Sequence, residues 1–156
     1  MINLISRILI ERPVKQVFDF MSAPENDFQW QYGTLATARL SGCVSAIGTL
    51  FRSIGHLMGQ RNLSTFEVTE YELNKKYGFQ SLSGPLQSRT SYTFEIVAGS
   101  TKITVSTQAN VVGFFRVADG ILEKKIKKQL KEDLIMLKNL LEAKQVLYAL
   151  ENFPMQ

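Results

Sequence analysis

The feature that most constrains the fold is a long amphipathic pattern in the last third of the chain. If this stretch is an α-helix, its apolar residues fall within about 100° of one another around the axis. The pattern persists for about 30 residues, a helix about 45 Å long. Such a helix needs a broad apolar surface to cover. The residues of this stripe are Phe115, Leu122, Ile126, Leu130, Leu137 and Leu141.

The middle of the chain supplies that surface, because the hydrophobic period changes to two from about residue 35 to residue 112. Turn sequences separate the alternating runs at Asn74-Lys75, Ser83-Gly84-Pro85 and Gly99-Ser100. The pattern predicts an antiparallel meander with one apolar and one polar face. The residues expected on the apolar face include Phe51, Phe66, Tyr77, Phe79, Tyr92, Phe94 and Ala109.

The N-terminal part predicts a strand followed by two short helices. Residues 2–11 are rich in β-branched and apolar residues, and Pro13 suits the first turn of a helix. A short amphipathic helix follows over residues 14–21, and a second one carries Phe28 and Trp30. The whole chain is therefore expected to be an α+β protein in which the long helix lies across the apolar face of the sheet. The inward aromatic residues would line any space between them.

Size and composition favour one domain over residues 1–156, with residues 142–156 extending the last helix and forming a tail. No stretch reaches the roughly 18 apolar residues of a membrane-spanning helix, so stable membrane insertion is not expected. The first 12 residues lack a signal-peptide cleavage site. The single cysteine, Cys43, excludes an internal disulfide. We therefore expect a cytoplasmic protein.

The excess of positive charge is modest but unevenly placed. The chain has 18 basic and 14 acidic side chains, a net charge of +4, and five of the lysines fall in one short stretch: Lys124, Lys125, Lys127, Lys128 and Lys131. Lys128 and Glu132 have the i,i+4 spacing of a solvated helix face. The alternative interpretation is a surface that binds phosphates or anionic lipid. No nucleic-acid partner is expected, and the oligomeric state is left open.

A series of short motifs occurs in order along nearly the whole chain. They are Ile10-Glu11-Arg12-Pro13-Val14 with Val17-Phe18-Asp19-Phe20, Pro24 with Trp30, Gly48-Thr49, Val68-Thr69-Glu70-Tyr71-Glu72, Ser83-Gly84-Pro85-Leu86, Tyr92-Thr93-Phe94, residues 101–105 and residues 130–142. In this order the chain resembles the START-like superfamily, also called Bet v 1-like, SRPBCC or helix-grip, and within it the polyketide cyclase/dehydrase-like branch. The resemblance implies a curved antiparallel sheet that grips the C-terminal helix and encloses an apolar cavity. It does not imply one function, because that superfamily contains carriers, receptors, cyclases and interaction domains.

Few residues suggest chemistry. His56 is the only histidine, and by alternation it points outward if Phe51 points inward. Cys43 has no histidine or aspartate near it in sequence, and no cysteine, histidine or carboxylate cluster has metal-ligand spacing. No glycine-rich phosphate loop or dinucleotide motif is present, so neither a metal nor another cofactor is expected.

Asp133 departs from the helical pattern, because it lies close to the middle of the apolar stripe. A carboxylate that faces the sheet needs hydrogen-bond donors, and we expect backbone N–H groups or an arginine near the short helices to supply them. The alternative is that Asp133 meets the polar end of a ligand or acts as an acid or base. It is the one candidate for a catalytic residue. Trp30 has two interpretations, a lid over a cavity mouth or a packed plug.

The sequence thus predicts that a small hydrophobic or amphipathic molecule binds between the sheet and the C-terminal helix. The alternative is a cyclase or dehydratase that acts on a polyketide-like or aromatic substrate in the same cavity, and whether any chemistry occurs is left open. The predicted ligand-binding residues are Trp30, Phe51, Phe66, Tyr77, Phe79, Tyr92, Phe94, Ala109, Phe115, Leu122, Ile126, Leu130 and Leu137.

Overall fold

The computed structural model describes residues 1–41, 46–111 and 119–151, with side chains throughout these ranges except at residues 111, 119 and 144–151. Two residues considered above, Cys43 and Phe115, lie outside the described residues. The same holds for residues 152–156 of the predicted tail, whereas residues 143–151 continue the last helix.

The described elements follow the predicted order of strand, short helices, strands and long helix. Their bounds are β1 (Ile2–Ile10), α1 (Val14–Met21), a 3₁₀ helix (Pro24–Gln29), β2 (Thr34–Arg39), β3 (Leu50–Leu57), β4 (Gln60–Glu72), β5 (Lys76–Ser83), β6 (Leu86–Val97), β7 (Ser100–Val111) and α2 (Asp119–Glu151).

The strands form one antiparallel sheet in the spatial order β1-β7-β6-β5-β4-β3-β2. The first two strands, β1 and β2, are therefore its two edges, and α1 with the 3₁₀ helix carries the chain from one edge to the other. The prediction of an α+β helix-grip architecture is confirmed.

Local backbone geometry explains how the sheet turns and bends. The β3–β4 turn has positive φ at both Met58 (53°) and Gly59 (78°), as a tight two-residue hairpin loop requires. The pairing of β4 with β5 shifts register between Val68 and Glu70, and such a bulge increases local bending and twist. A Cβ at Gly78 would lie 2.5 Å from Glu70 Oε1, so only glycine fits beside this bulge without a shift.

The C-terminal half of α2 and the helix α1 fill one end of the space over the sheet. Leu137 and Leu141 are fully buried, together with Phe18 of α1. The Phe18 ring meets Phe94 and Tyr71 edge to face, with centroids 5.2 and 5.6 Å apart, an arrangement that aromatic pairs favour. This end is a densely packed core.

Polar contacts fix the same half of α2 to the edge strand β1. The Lys138 ammonium donates to the Leu9 carbonyl oxygen at 2.8 Å and pairs with Glu142 at 2.7 Å. The Glu11 N–H donates to Glu142 Oε1 at 3.3 Å. The position of the helix across the sheet is therefore set by hydrogen bonds as well as by apolar packing.

Candidate ligand-binding site

A cavity of about 490 Å³ lies between the sheet and the N-terminal half of α2. One wall is the apolar face of β6 and β7, and the opposite wall is the first half of α2. The segment after the 3₁₀ helix, residues 30–33, and the β3–β4 turn, residues 57–59, complete it. Helix, sheet and two connections thus surround one space.

Several of the sequence-predicted ligand residues line this cavity, and others do not. Phe51, Tyr77, Phe94, Leu122 and Leu137 are buried among other side chains, and none of them lines the cavity. Alternation assigns a residue to the inward face of a strand, but not to the packed or the open part of that face. The predicted residues that line the cavity are Trp30, Phe66, Phe79, Tyr92, Ala109, Ile126 and Leu130, together with Asp133.

Stacked and edge-to-face aromatic rings form the apolar wall. Phe66 and Phe79 are perpendicular, with centroids 5.6 Å apart, and Phe79 meets Tyr92 at 5.7 Å. Phe51 lies behind them and stacks on Phe66 at 5.3 Å. Phe66 and Phe79 are half-buried, whereas Phe51 is 3% exposed, because only the first two face the open space.

The polar groups on the sheet wall are mostly satisfied. The hydroxyl groups of Thr90 and Thr107 are 3.2 Å apart across β6 and β7 and bond to each other. The Tyr92 hydroxyl receives one long hydrogen bond, 3.5 Å, from Gln31 Nε2. Burial raises the pKa of Tyr92, and the charges of Asp27, the neighbouring Tyr77 and Asp133 raise it further. The phenol is therefore protonated at neutral pH and can donate a hydrogen bond.

Asp133 lies on the cavity wall formed by α2. Its Oδ1 accepts hydrogen bonds from the Tyr32 backbone N–H at 3.1 Å and from Gln129 Nε2 at 2.7 Å. The prediction that a backbone N–H near the short helices would donate to this carboxylate is confirmed. Burial raises the pKa of Asp133, and the two hydrogen bonds oppose that rise.

The same contact separates the cavity from an outer groove. This groove, also about 490 Å³, lies between the 3₁₀ helix, the start of β2 and α2. Trp30, Gln31, Tyr32, Gln129 and Asp133 line both spaces. The wall between them is therefore one layer of side chains, held in part by the bond from Tyr32 to Asp133.

His56 lies at the rim of the cavity. Its side chain is exposed, as alternation predicted, and its backbone N–H donates to the Gly33 carbonyl oxygen at 2.8 Å. A Cβ at Gly55 would collide with that same oxygen. Glycine at position 55 therefore allows the 30–33 segment to approach the sheet and close this side of the cavity.

Sequence reasoning missed Asp27, which the 3₁₀ helix buries to 8% exposure beneath the short helices. Burial raises the pKa of Asp27 well above its usual range, the nearby Glu25 charge raises it further, and the Trp30 indole lowers it. Trp30 Nε1 and the Tyr77 hydroxyl are also buried there, without hydrogen bonds of normal geometry to described residues. The sequence contains one signal that could have indicated a contact between Asp27 and Trp30. Asp27 precedes Trp30 by three residues, which is one turn of a 3₁₀ helix.

Clusters of metal-ligand residues and membrane-spanning helices are both absent from the part of the chain that the structure describes. Within residues 1–41, 46–111 and 119–151, no group of three or more histidine, cysteine or acidic residues is placed to hold a metal ion. None of the helices in these ranges is both long enough and apolar enough to cross a membrane.

The fold has close structural counterparts, although no protein-family model and no curated protein sequence matches the chain. A START superfamily protein from Mycobacterium smegmatis is similar with a TM-score of 0.79 and 14% identity, over 92% of this chain and 99% of that one. Ara h 8.0201 is similar with a TM-score of 0.69 and 12% identity, over 90% of this chain and 97% of that one. Major latex-like protein 151 from Panax ginseng is similar with a TM-score of 0.67 and 11% identity, over 91% of this chain and 95% of that one. The chain therefore has the START/Bet v 1-like fold.

Proposed function

We propose that the protein binds a small apolar or amphipathic molecule in the cavity between the sheet and the N-terminal half of α2. The observation that carries this proposal is the cavity itself. Its volume of about 490 Å³ lies within the roughly 300–1,000 Å³ typical of ligand sites. Aromatic rings form one wall, and a few polar groups, Tyr92, Gln129 and Asp133, are positioned to orient a ligand.

Binding without chemistry agrees best with the groups that line the cavity. The ionisable ones in the described lining are Asp133, the Tyr92 phenol, and the exposed Tyr32, His56 and Lys125 at the rim. His56 and Lys125 are solvated, so neither has the buried environment that tunes a catalytic acid or base. Asp133 already accepts two hydrogen bonds on one oxygen.

A cyclase or dehydratase acting on a polyketide-like substrate is the second candidate. One observation favours it: Asp133 and Tyr92 both line the cavity, and the charge of Asp133 contributes to the raised pKa of Tyr92. The charge of Asp133 thus acts on the Tyr92 phenol, and these two groups are the acid and base candidates of the cavity. A ligand recovered chemically unchanged after incubation with the protein would exclude this candidate for that ligand.

The binding proposal is tested with the neutral fluorescent dye N-phenyl-1-naphthylamine. We expect saturable, one-site binding to the native protein. Leu130→Trp places a large ring in the cavity and should abolish dye binding, while the melting temperature changes little because a void is already present. Ile135→Trp is the matched control, since Ile135 is 55% exposed on the same helix and should leave dye binding unchanged.

Two results would contradict the proposal. One is a native protein that binds no dye, or binds it without saturation. The other is a folded Leu130→Trp variant that binds the dye as tightly as the parent protein does. Circular dichroism and the melting temperature establish folding in each case.

A further inference from the structure

Asp133 lies on the wall of the largely apolar cavity, and only one of its two carboxylate oxygens is hydrogen-bonded to described residues. Both of its hydrogen bonds go to Oδ1, and Oδ2 accepts none from any described residue. No lysine or arginine within the described ranges forms an ion pair with it. It is also the only carboxylate among the described residues that line the cavity.

A half-buried carboxylate in these surroundings favours one kind of ligand. The negative charge has lost part of its hydration, and a cation or strong donor at Oδ2 would restore the lost interactions. Trp30 and Tyr92 line the same space, with ring centroids 6.2 Å apart. The faces of such rings attract cations, most strongly when water is excluded. A ligand carboxylate placed here would be repelled by Asp133.

We propose that the cavity selects amphipathic amines, whose protonated nitrogen binds Asp133 Oδ2 while the apolar part contacts Phe66 and Phe79. This selectivity rests on the proposed ligand-binding function of the cavity. The ammonium would lie beside Trp30 and Tyr92, at the wall shared with the outer groove. Uncharged alcohols would bind through the same oxygen more weakly, and fatty acids more weakly still.

Lys125 is the feature that would favour the opposite selectivity. It lines the cavity and carries a positive charge, but its side chain is exposed at the rim. Water screens an exposed charge of this kind, so its attraction for an acidic head group is small. Asp133 is more strongly desolvated and should dominate the choice of head group.

The test compares three ligands with the same chain and different head groups: decylamine, decanol and decanoic acid. Each displaces N-phenyl-1-naphthylamine from the protein at pH 7. We expect decylamine to bind about tenfold or more tightly than decanoic acid, with decanol between them. Asp133→Asn should weaken decylamine binding about tenfold, because the charge is removed while the asparagine Oδ1 still accepts from Tyr32 and Gln129. Decanol binding should change much less, because a hydroxyl can accept from the asparagine Nδ2 in place of donating to the carboxylate.

Glu132→Gln is the matched control for net charge. Its carboxylate neighbours Asp133 on α2, is 56% exposed and lines the outer groove instead of the cavity. Removing this charge should leave the order of the three ligands unchanged. An equal loss of decylamine affinity in Glu132→Gln and Asp133→Asn would show that the amine responds to the net charge of the protein and not to a contact with Asp133.

The outcomes separate this inference from the binding proposal. If the parent protein does not bind the dye, the binding proposal fails. If the dye binds and the three ligands displace it equally, or decanoic acid displaces it best, amine selectivity is overturned and the cavity remains a binding site. If Asp133→Asn does not fold, the order of affinities in the parent protein and in Glu132→Gln decides the question.

Discussion

The two ends of α2 carry the same apolar stripe but cover different interiors. Leu137 and Leu141 are fully buried, in the same packed cluster as Phe18 of α1. Ile126 and Leu130, two to three turns earlier, are half-buried and face the cavity. The difference comes from what else occupies the space over the sheet. At one end α1 inserts large side chains. At the other, beyond a small apolar cluster around Leu122, the 30–33 segment and the β3–β4 turn form only the rim.

This comparison shows that a hydrophobic stripe specifies burial and not packing density. A leucine is favourable against either interior, because both remove it from water. Only the packed end resists changes in volume, since its neighbours have no space into which they can move. The hollow end, where Ile126 and Leu130 face the cavity, makes fewer dispersion contacts and leaves space for a ligand.

The largest expected effect comes from truncating one leucine at each end. Leu137→Ala should lower the free energy of unfolding by about 2–5 kcal/mol, because a fully buried side chain leaves a cavity in a dense core. Leu130→Ala makes the same chemical change at the hollow end and should cost about 1 kcal/mol, since its side chain already borders a void. Urea unfolding of the two variants measures the difference. Equal losses of unfolding free energy in the two variants would contradict the distinction between a packed and a hollow end.

A second, smaller effect concerns Asp27, the buried aspartate of the 3₁₀ helix. Burial is the largest cause of the raised pKa values of Tyr77 in the packed core and of Tyr92 in the cavity wall, and the charge of Asp27 raises both further. The folded state raises the pKa of Asp27 itself, chiefly by burial, and therefore holds its proton to a higher pH than the unfolded chain does. The contribution of this group to stability is consequently lost as the pH rises above the usual value of 3.8.

Asp27→Asn removes this pH-dependent cost. At pH 7 the variant should melt higher than the parent protein by about 2–4 °C, the shift that about 1 kcal/mol produces in a chain of this size. The difference should shrink towards zero as the pH falls well below 3.8, where the aspartate is protonated in both states. Thermal melts of both proteins from pH 3 to pH 8 give this comparison. A difference that does not vary with pH would show that Asp27 ionises normally in the folded protein.

The smallest effect is expected on the outer face of α2. Lys124, Lys127, Lys128 and Lys131 are exposed, and the pair Lys128–Glu132 is 4.0 Å long with both side chains largely in water. Replacing the four lysines by glutamine should shift the melting temperature by no more than a few degrees, because exposed charges contribute little each. A shift comparable to that of Leu137→Ala would mean that this face is covered in the folded protein.

Most of the fold could be predicted from the sequence, because periodicity reports directly on which side of an element is buried. Alternation placed Tyr92 and Phe94 on the inward face, and helical spacing placed Leu137 and Leu141 on the inner side of α2. It also identified Asp133 as a carboxylate that must find donors, and the Tyr32 N–H supplies one. Asp27 was missed because its 3₁₀ helix, with six residues and two turns, is too short to show a period.

What the sequence by itself determined is the order of elements, the two apolar faces and the anomaly at Asp133, since each is a property of neighbouring residues along the chain. Only the tertiary structure decided which inward residues meet a solid core and which meet a cavity. That division depends on where α1 ends and where the 30–33 segment rests on the sheet. The contact of Gly33 with Gly55 and His56 joins residues more than 20 positions apart, and no local pattern encodes such a distance.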